Sequence, residues 1–547
     1  MSRRKVNGML KLPKLLSDGC VLQQDMPTRI RGWASPEATV TCGLCGRQET
    51  CVADTDGAWS VVFERLQVGG PFRMLVAADD GETIERTVYV GEVFVCSGQS
   101  NMELPMGWVL PDYPDEAVRE SDPLLRQCKV MPDYDATGPK ADHADASWSP
   151  CDAEHLGGFG AIGYFFGRRI RERFDVPVGL IDVSLGGAPI ESWMDRKTLE
   201  AFPEDLAALT PYLGEGVAER RSADSIAARD AWYRNLGYVG APDSHNPLPL
   251  GGWPCPERKA GPSAAADDDA TAVILPGRYA KADGRLADFR GEIELTRTIR
   301  LPEHVDGKPG LLRLGTMNDA DHTWVNGRLV GGRSNLYEPR DYRVPVGVMK
   351  AGDNEIRIRL VCERLGGGLT EGKMMTLSVG GESFDLSGAW CCRIVNPAHD
   401  DCPFEDFVRW KPTVLYNAML APCLGYAVRA VLWYQGESNT GPQRVRYADQ
   451  LEAMIGLWRR GWGLPRLPFL IVGLPEAPDG YDEDGWRAVR EAQRLVACDV
   501  PDVAMVDTVG LGDRYDLHPA RKKPVADLLY RAALELVYGF AEEPQPK

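Results

Sequence analysis

From about Leu12 to Val90, short runs of alternating apolar and polar residues recur, as in Ala38–Cys42, Trp59–Phe63 and Phe72–Val76. Asp56-Gly57, Gly69-Gly70-Pro71 and Asp79-Asp80-Gly81 separate them. Turn signals at this spacing predict an immunoglobulin-like β-sandwich domain over residues 8–90. Beyond Val88 the alternation gives way to continuous apolar runs: Val93–Cys96, Val178–Ser184, Tyr426–Tyr434 and Leu467–Val472. Such runs fit parallel strands covered on both faces. Ile162–Ile170, Tyr447–Trp458 and Pro524–Val537 carry helical spacing, so strands and helices alternate as in an α/β layer. Between the two halves of that layer, alternation returns in Glu292–Ile299, Thr323–Gly327 and Asn354–Val361, with Asn326-Gly327 as a hairpin turn. The chain therefore reads as an α/β domain in two parts, 91–247 and 391–540, interrupted by an all-β jelly-roll or sandwich module at 248–390. Asp267-Asp268-Asp269, after an alanine run, reads as a linker.

Length and composition narrow the function classes. A chain of 547 residues predicts about three or four domains, and 44% hydrophobic with 26% charged residues is ordinary globular usage. A net charge of −17 argues against nucleic acid or an anionic membrane surface as partner. No apolar stretch approaches membrane-helix length, and no signal-like run follows the basic Met1–Lys5, so the expected compartment is the cytoplasm. Homo-oligomerisation stays open. Cys42 and Cys45 form a CxxC with Cys20 and Cys51 nearby, but a second ligand pair is missing, which favours reduced thiols over zinc. No cofactor or metal is expected.

Four strand-to-loop junctions hold candidate chemistry. Cys96-Ser97-Gly98-Gln99-Ser100-Asn101-Met102 can present a serine on a tight turn at the head of a helix, where free N–H groups can meet a developing oxyanion. Ser184–Trp193 contains Gly186-Gly187, which permits close approach to bare N–H groups. Trp433-Tyr434-Gln435-Gly436-Glu437-Ser438-Asn439 delivers four hydrogen-bonding side chains from an apolar strand, a density that is costly to bury without purpose. Asp513-Arg514-Tyr515-Asp516-Leu517-His518-Pro519 holds one of seven histidines, flanked by acids two and five positions earlier. A carboxylate that holds one imidazole nitrogen leaves the other free to take a serine proton.

Taken together, Gly98–Met102, Gln435–Asn439 and Asp516–Pro519 resemble the three signatures of sialate O-acetylesterases and related carbohydrate acetylesterases of the SGNH hydrolase superfamily. Leu16–Gln23, Leu185–Trp193, Leu415–Pro422 and Arg490–Gln493 extend the resemblance over nearly the whole chain. It implies a flavodoxin-like three-layer catalytic domain, and an insert similar to the sugar-binding jelly rolls of β-galactosidases. It also implies Ser100 as nucleophile, His518 as general base, and an oxyanion hole built from the Ser100 and Gly187 N–H groups and the Gln435 side chain. Asp516 is implied as the triad acid, with Asp513 and Glu437 in reserve, because Tyr515 stands where many members place it. Gln99, Asn101, Glu437 and Asn439 are expected to contact substrate.

The implied activity is a serine esterase that removes O-acetyl groups from carbohydrates, with sialic acids as the first substrate class. Acetylated xylan or other plant oligosaccharides are the alternative. A glycosidase working through a carboxylate pair, and a glycan-binding protein without catalysis, are the readings of another class. Arg333, Arg340 and Arg343 in the insert could compensate an anionic sugar. Asp142-His143-Ala144-Asp145 reads as a solvated loop rather than a ligand cluster, and Gly367–Lys373 falls short of a phosphate loop because Met374 replaces the required Ser/Thr.

Overall fold

A computed structural model describes residues 10–119, 121–241, 270–278, 286–365 and 367–540. The Asp267–Asp269 linker lies outside the described residues. The chain forms two compact units: residues 1–218, 407–513 and 518–547 make the first, and residues 219–406 with 514–517 make the second.

At the centre of the first unit is the strand Thr83–Gly98. Its first half alternates exposed and covered positions, while its second half, from Gly91 on, is buried throughout. The first half pairs with Gly69–Ala78 and Cys20–Gln23, and the second with Val178–Ser184 and Ala430–Tyr434. One strand thus runs from the N-terminal β-region into the α/β layer, so the expected boundary at 90/91 falls inside a continuous element. The layer's strand order is Val503–Val506, Phe469–Val472, Ala430–Tyr434, Thr83–Gly98, Val178–Ser184, Asp122–Val130, Ala146–Cys151. All neighbours are parallel except the last pair. The connections reverse direction on either side of Thr83–Gly98, making it the topological switch point where open α/β sheets place their ligands. The helices Ala161–Phe174, Tyr447–Trp462 and Lys522–Leu536 form where the periodicity put them, and Glu483–Asp499 is a further one.

In the N-terminal region, Thr39–Leu44 and Arg47–Val52 form a hairpin whose two turn residues, Cys45 and Gly46, both have positive φ. The CxxC therefore straddles a two-residue hairpin turn, and Cys42, Cys45 and Cys51 are free thiols. His143 is a correction: it is buried rather than solvated, with Nε2 2.9 Å from the Met419 carbonyl oxygen.

The second unit is antiparallel. Its six-stranded sheet runs Thr271–Leu275, Gly388–Pro397, Gly291–Leu301, Gly352–Cys362, Ala320–Val325, Arg328–Arg333, with a four-stranded and a short three-stranded sheet beside it. Asn326 and Gly327, at φ 48° and 78°, make the expected hairpin turn. Ile293, Leu295, Ile356, Ile358 and Leu360, on adjacent strands, supply part of its apolar core. The unit begins near residue 219 rather than 248 because the helix Val217–Asn235 belongs largely to it. Trp232 and Tyr233 pack with Val361 and Cys402, and Arg229 pairs with Glu363 at 2.6 Å. At its other end it continues to residue 406 rather than 390.

Candidate active site

Three loops leave the α/β layer at one level. In the sheet register Gly98 stands opposite Ser184 on one side and Tyr434 on the other, so the segments that follow all three strands start together. Gly98 has φ +132°, and a Cβ there would come within 2.0 Å of the Tyr434 carbonyl oxygen. The close approach of the two strands therefore requires glycine.

Two residues beyond Gly98, Ser100 opens the short helix Ser100–Glu103. Its Oγ lies 2.7 Å from Nε2 of His518, which is 7 % exposed in the segment leading to the helix Lys522–Leu536. With the imidazole proton on Nδ1, the serine hydroxyl donates to Nε2, the arrangement from which a base removes the proton. The acids named from sequence take separate positions. The Asp516 carboxylate accepts from Lys373 Nζ, and Tyr515 packs against Gly372, so this stretch groups with the second unit. Asp513 is exposed. Glu437 accepts from Asn101 Nδ2 at 2.7 Å, and burial pushes its carboxyl above the usual range.

Across from Ser100, the Gly186-Gly187 turn is pinned from several directions. Gly186 N–H donates to Glu103 Oε2 at 2.6 Å, and the Trp410 indole N–H donates to Gly186 O at 2.8 Å. Ser438 Oγ donates to Gly187 O at 2.9 Å. Gly187 has φ +74°, and a Cβ on it would meet the Trp410 ring at 2.3 Å. Neither the Ser100 N–H nor the Gly187 N–H has an acceptor among the described residues. Both are backbone donors without an internal partner beside the serine, which is what an oxyanion requires.

Gln435 is a correction to the sequence expectation. Its side chain is fully buried, and Nε2 donates to Asn439 Oδ1 at 2.7 Å and to Gln99 Oε1 and Ala188 O at 3.2 Å. Its Oε1 accepts from Tyr447 OH at 2.9 Å. An amide so committed faces inward and is not presented to an oxyanion. The expected substrate contacts fare similarly. Gln99 Oε1 also accepts from Ser438 N–H at 3.2 Å, while Asn439 accepts from Ile190 N–H at 3.0 Å and donates to Glu191 Oε2 at 3.0 Å. Asn101 and Glu437 bond to each other. Buried amides are costly unless paired, and here the pairing ties the three loops together from behind.

Sequence reasoning missed Glu103, Trp410 and Lys522, and placed Gln493 only within the Arg490–Gln493 match, without a role. Gln493 Nε2 donates to Gln435 O and its Oε1 accepts from Leu474 N–H. Of the insert arginines, Arg340 is fully buried against Asp321 and Arg333 pairs with Glu338, which leaves Arg343 as the exposed one. Among the described residues no group of three or more His, Cys, Asp or Glu could hold a metal ion.

Comparison with known proteins follows the same lines. Residues 397–526 match the family model described as carbohydrate esterase, sialic acid-specific acetylesterase. That span contains Gln435–Asn439 and His518, and Ser100 lies outside it. The chain is 31% identical over 191 residues to the sialate O-acetylesterase of Mus musculus, covering 31% of this chain and 35% of that protein. It is 31% identical over 202 residues to that of Homo sapiens, covering 34% and 38%. These matches span little more than a third of the relatives' length. A carbohydrate acetylesterase of known crystal structure from Xanthomonas citri shares the fold, with a TM-score of 0.57 and 22% identity over 97% of this chain and 76% of that one.

Proposed function

We propose that the chain is a member of the carbohydrate esterase family of sialic acid-specific acetylesterases, which its residues 397–526 match, and that it is a serine esterase removing O-acetyl groups from carbohydrates, with acetylated sialic acids as substrate. The 2.7 Å contact between Ser100 Oγ and His518 Nε2 carries the proposal. Ser100 attacks the acetyl carbonyl while His518 takes its proton. The N–H groups of Ser100 and Gly187 hold the tetrahedral oxyanion. His518 then protonates the departing sugar oxygen, and water, activated by the same imidazole, releases acetate from the acetyl-enzyme. The Ser100–His518 pair carries the larger share of the chemistry, and Asp516 is proposed as the supporting acid.

The finer architecture belongs to the same proposal: the N-terminal strands form an immunoglobulin-like sandwich, and the second unit is a sugar-binding-like jelly roll. Acetate release from O-acetylated sialic acid, acetylated xylan oligomers and an aryl acetate, compared for the wild type and Ser100→Ala, tests the assignment. The variant is expected to keep its fold and lose about 10³-fold or more in turnover on every substrate. Unimpaired release by Ser100→Ala would reject a serine mechanism. Glycan binding by a wild type that hydrolyses none of the three would favour the non-catalytic reading.

A further inference from the structure

We propose that Lys522 is a positioning residue that fixes the geometry between Ser100 and His518, an inference that rests on the esterase reading above. Lys522 is the first residue of the helix Lys522–Leu536, four positions after His518, and is 2 % exposed. Both facts are unfavourable for a lysine. The N-terminal end of a helix carries partial positive charge, and burial strips the ammonium of water. The side chain is therefore held by something specific. Its Nζ donates to Asn101 Oδ1 at 2.5 Å, and Asn101 directly follows the nucleophile.

The contact continues. Asn101 Nδ2 donates to Glu437 Oε1 at 2.7 Å, so one amide joins a buried cation to a buried carboxyl. The Lys522 charge and the Asn101 bond both favour the ionised form of Glu437, against the burial that opposes it. The ammonium also lies 5.9 Å from the centre of the Tyr434 ring, at the end of the strand that feeds the Glu437 loop. Two of the loops that the sheet starts at one level, those after Gly98 and Tyr434, are thus joined again beyond it.

Two rungs consequently connect the same two segments: Ser100 to His518, and Asn101 to Lys522. A single hydrogen bond fixes a distance but leaves the His518 segment free to rotate about it. The second rung removes that freedom and holds the hydroxyl against Nε2. Displacing a catalytic group by about 1 Å can cost on the order of 100-fold in rate, so the rung matters beyond its own energy.

Lys522→Met, which keeps the length of the stem but cannot reach Asn101 with a donor, tests this. With an aryl acetate, kcat is expected to fall about 10- to 100-fold while KM stays within about twofold, at temperatures where the variant is fully folded. Labelling of Ser100 by a fluorophosphonate should slow by the same factor. Asn101→Ala removes the same rung without touching a charge, and serves if Lys522→Met does not fold. The double variant should be no slower than Asn101→Ala alone, because the Lys522–Asn101 contact is already absent there. A kcat for Lys522→Met and Asn101→Ala within twofold of wild type, with Ser100 labelled normally, would overturn the positioning role and leave the esterase reading intact. A wild type that neither labels at Ser100 nor releases acetate would instead remove the esterase reading itself.

Discussion

Ser100 and His518 are separated by 418 positions in the chain, yet Oγ and Nε2 meet at 2.7 Å. The sheet accounts for one half of this meeting, since Ser100 follows the strand at its switch point. The helix Lys522–Leu536 accounts for the other by delivering the segment that carries His518. If the pair carries the chemistry, His518→Ala should resemble Ser100→Ala, with turnover down by about 10³-fold or more. Asp516→Asn should cost only about tenfold, because Lys373 already occupies its carboxylate. Steady-state kinetics on an aryl acetate separates the cases. A loss near 10⁴-fold in Asp516→Asn would instead make it a full triad acid.

The Gly186-Gly187 turn, proposed to hold the oxyanion, is held in a conformation that only glycine enters easily. Gly187→Ala should lower kcat by about 100-fold, on the scale of a lost oxyanion donor, because φ is +74° and the added Cβ runs into Trp410. Trp410→Phe keeps an aromatic wall but loses the indole donor to Gly186 O. It should be the milder change, and a relative kcat measured for the two variants ranks them. Equal losses would mean that the hydrogen bond to Gly186 governs the turn.

Glu103 supports the same turn from beneath, accepting the Gly186 N–H. Glu103→Gln preserves an acceptor oxygen and should retain most activity. Glu103→Ala leaves the N–H without one and should lower kcat about tenfold. Burial raises the Glu103 carboxyl above its usual range, with Lys129 opposing, so a neutral amide is a fair replacement for it. Equal activity in the Ala and Gln variants would remove this support from the mechanism.

Away from the site, His143 should give the fold a pH dependence. Burial depresses its pKa below the ordinary 6.5, although the contact with Met419 O opposes the shift. The unfolded chain binds the proton near pH 6.5, while the folded protein resists it until lower pH. Stability contributed by the neutral ring is therefore present above about pH 6.5 and is lost as pH falls toward the depressed value. His143→Gln retains a donor for Met419 O, and its Tm measured between about pH 5 and 7 should fall less steeply than that of the wild type.

Much of this arrangement is visible in the chain. Continuous apolar runs ending in small polar residues mark three of the strand ends, and the sparse histidines leave few candidates for a base. What escapes is direction. Gln435-Gly436-Glu437-Ser438-Asn439 announces polar chemistry, but Gly436 turns the chain at φ 145°. Which way its amides then face is decided by their partners, some near in the chain and one, Gln99, 336 positions away. Gln435 points inward because Asn439, Gln99 and Tyr447 wait for it there. Trp410 was invisible for the same reason, since its partner Gly186 lies 224 positions earlier. Lys522 did leave a trace: a lysine at the start of a helix opposes the dipole, and such a misplaced charge marks a specific partner. The start of the second unit was misjudged because Val217–Asn235 has no clear apolar stripe. It is held by Trp232, Tyr233 and Arg229, two aromatics and an ion pair.

The strand Thr83–Gly98 bears on how this protein can be shortened or recombined. Its first eight residues pair with the N-terminal strands and its remainder lies in the middle of the α/β layer. A chain cut at residue 90 would lose more than an accessory; it would expose the edge-on beginning of the strand that presents Ser100. The N-terminal region is thereby inherited with Ser100, and the two could be exchanged between relatives only as a single piece.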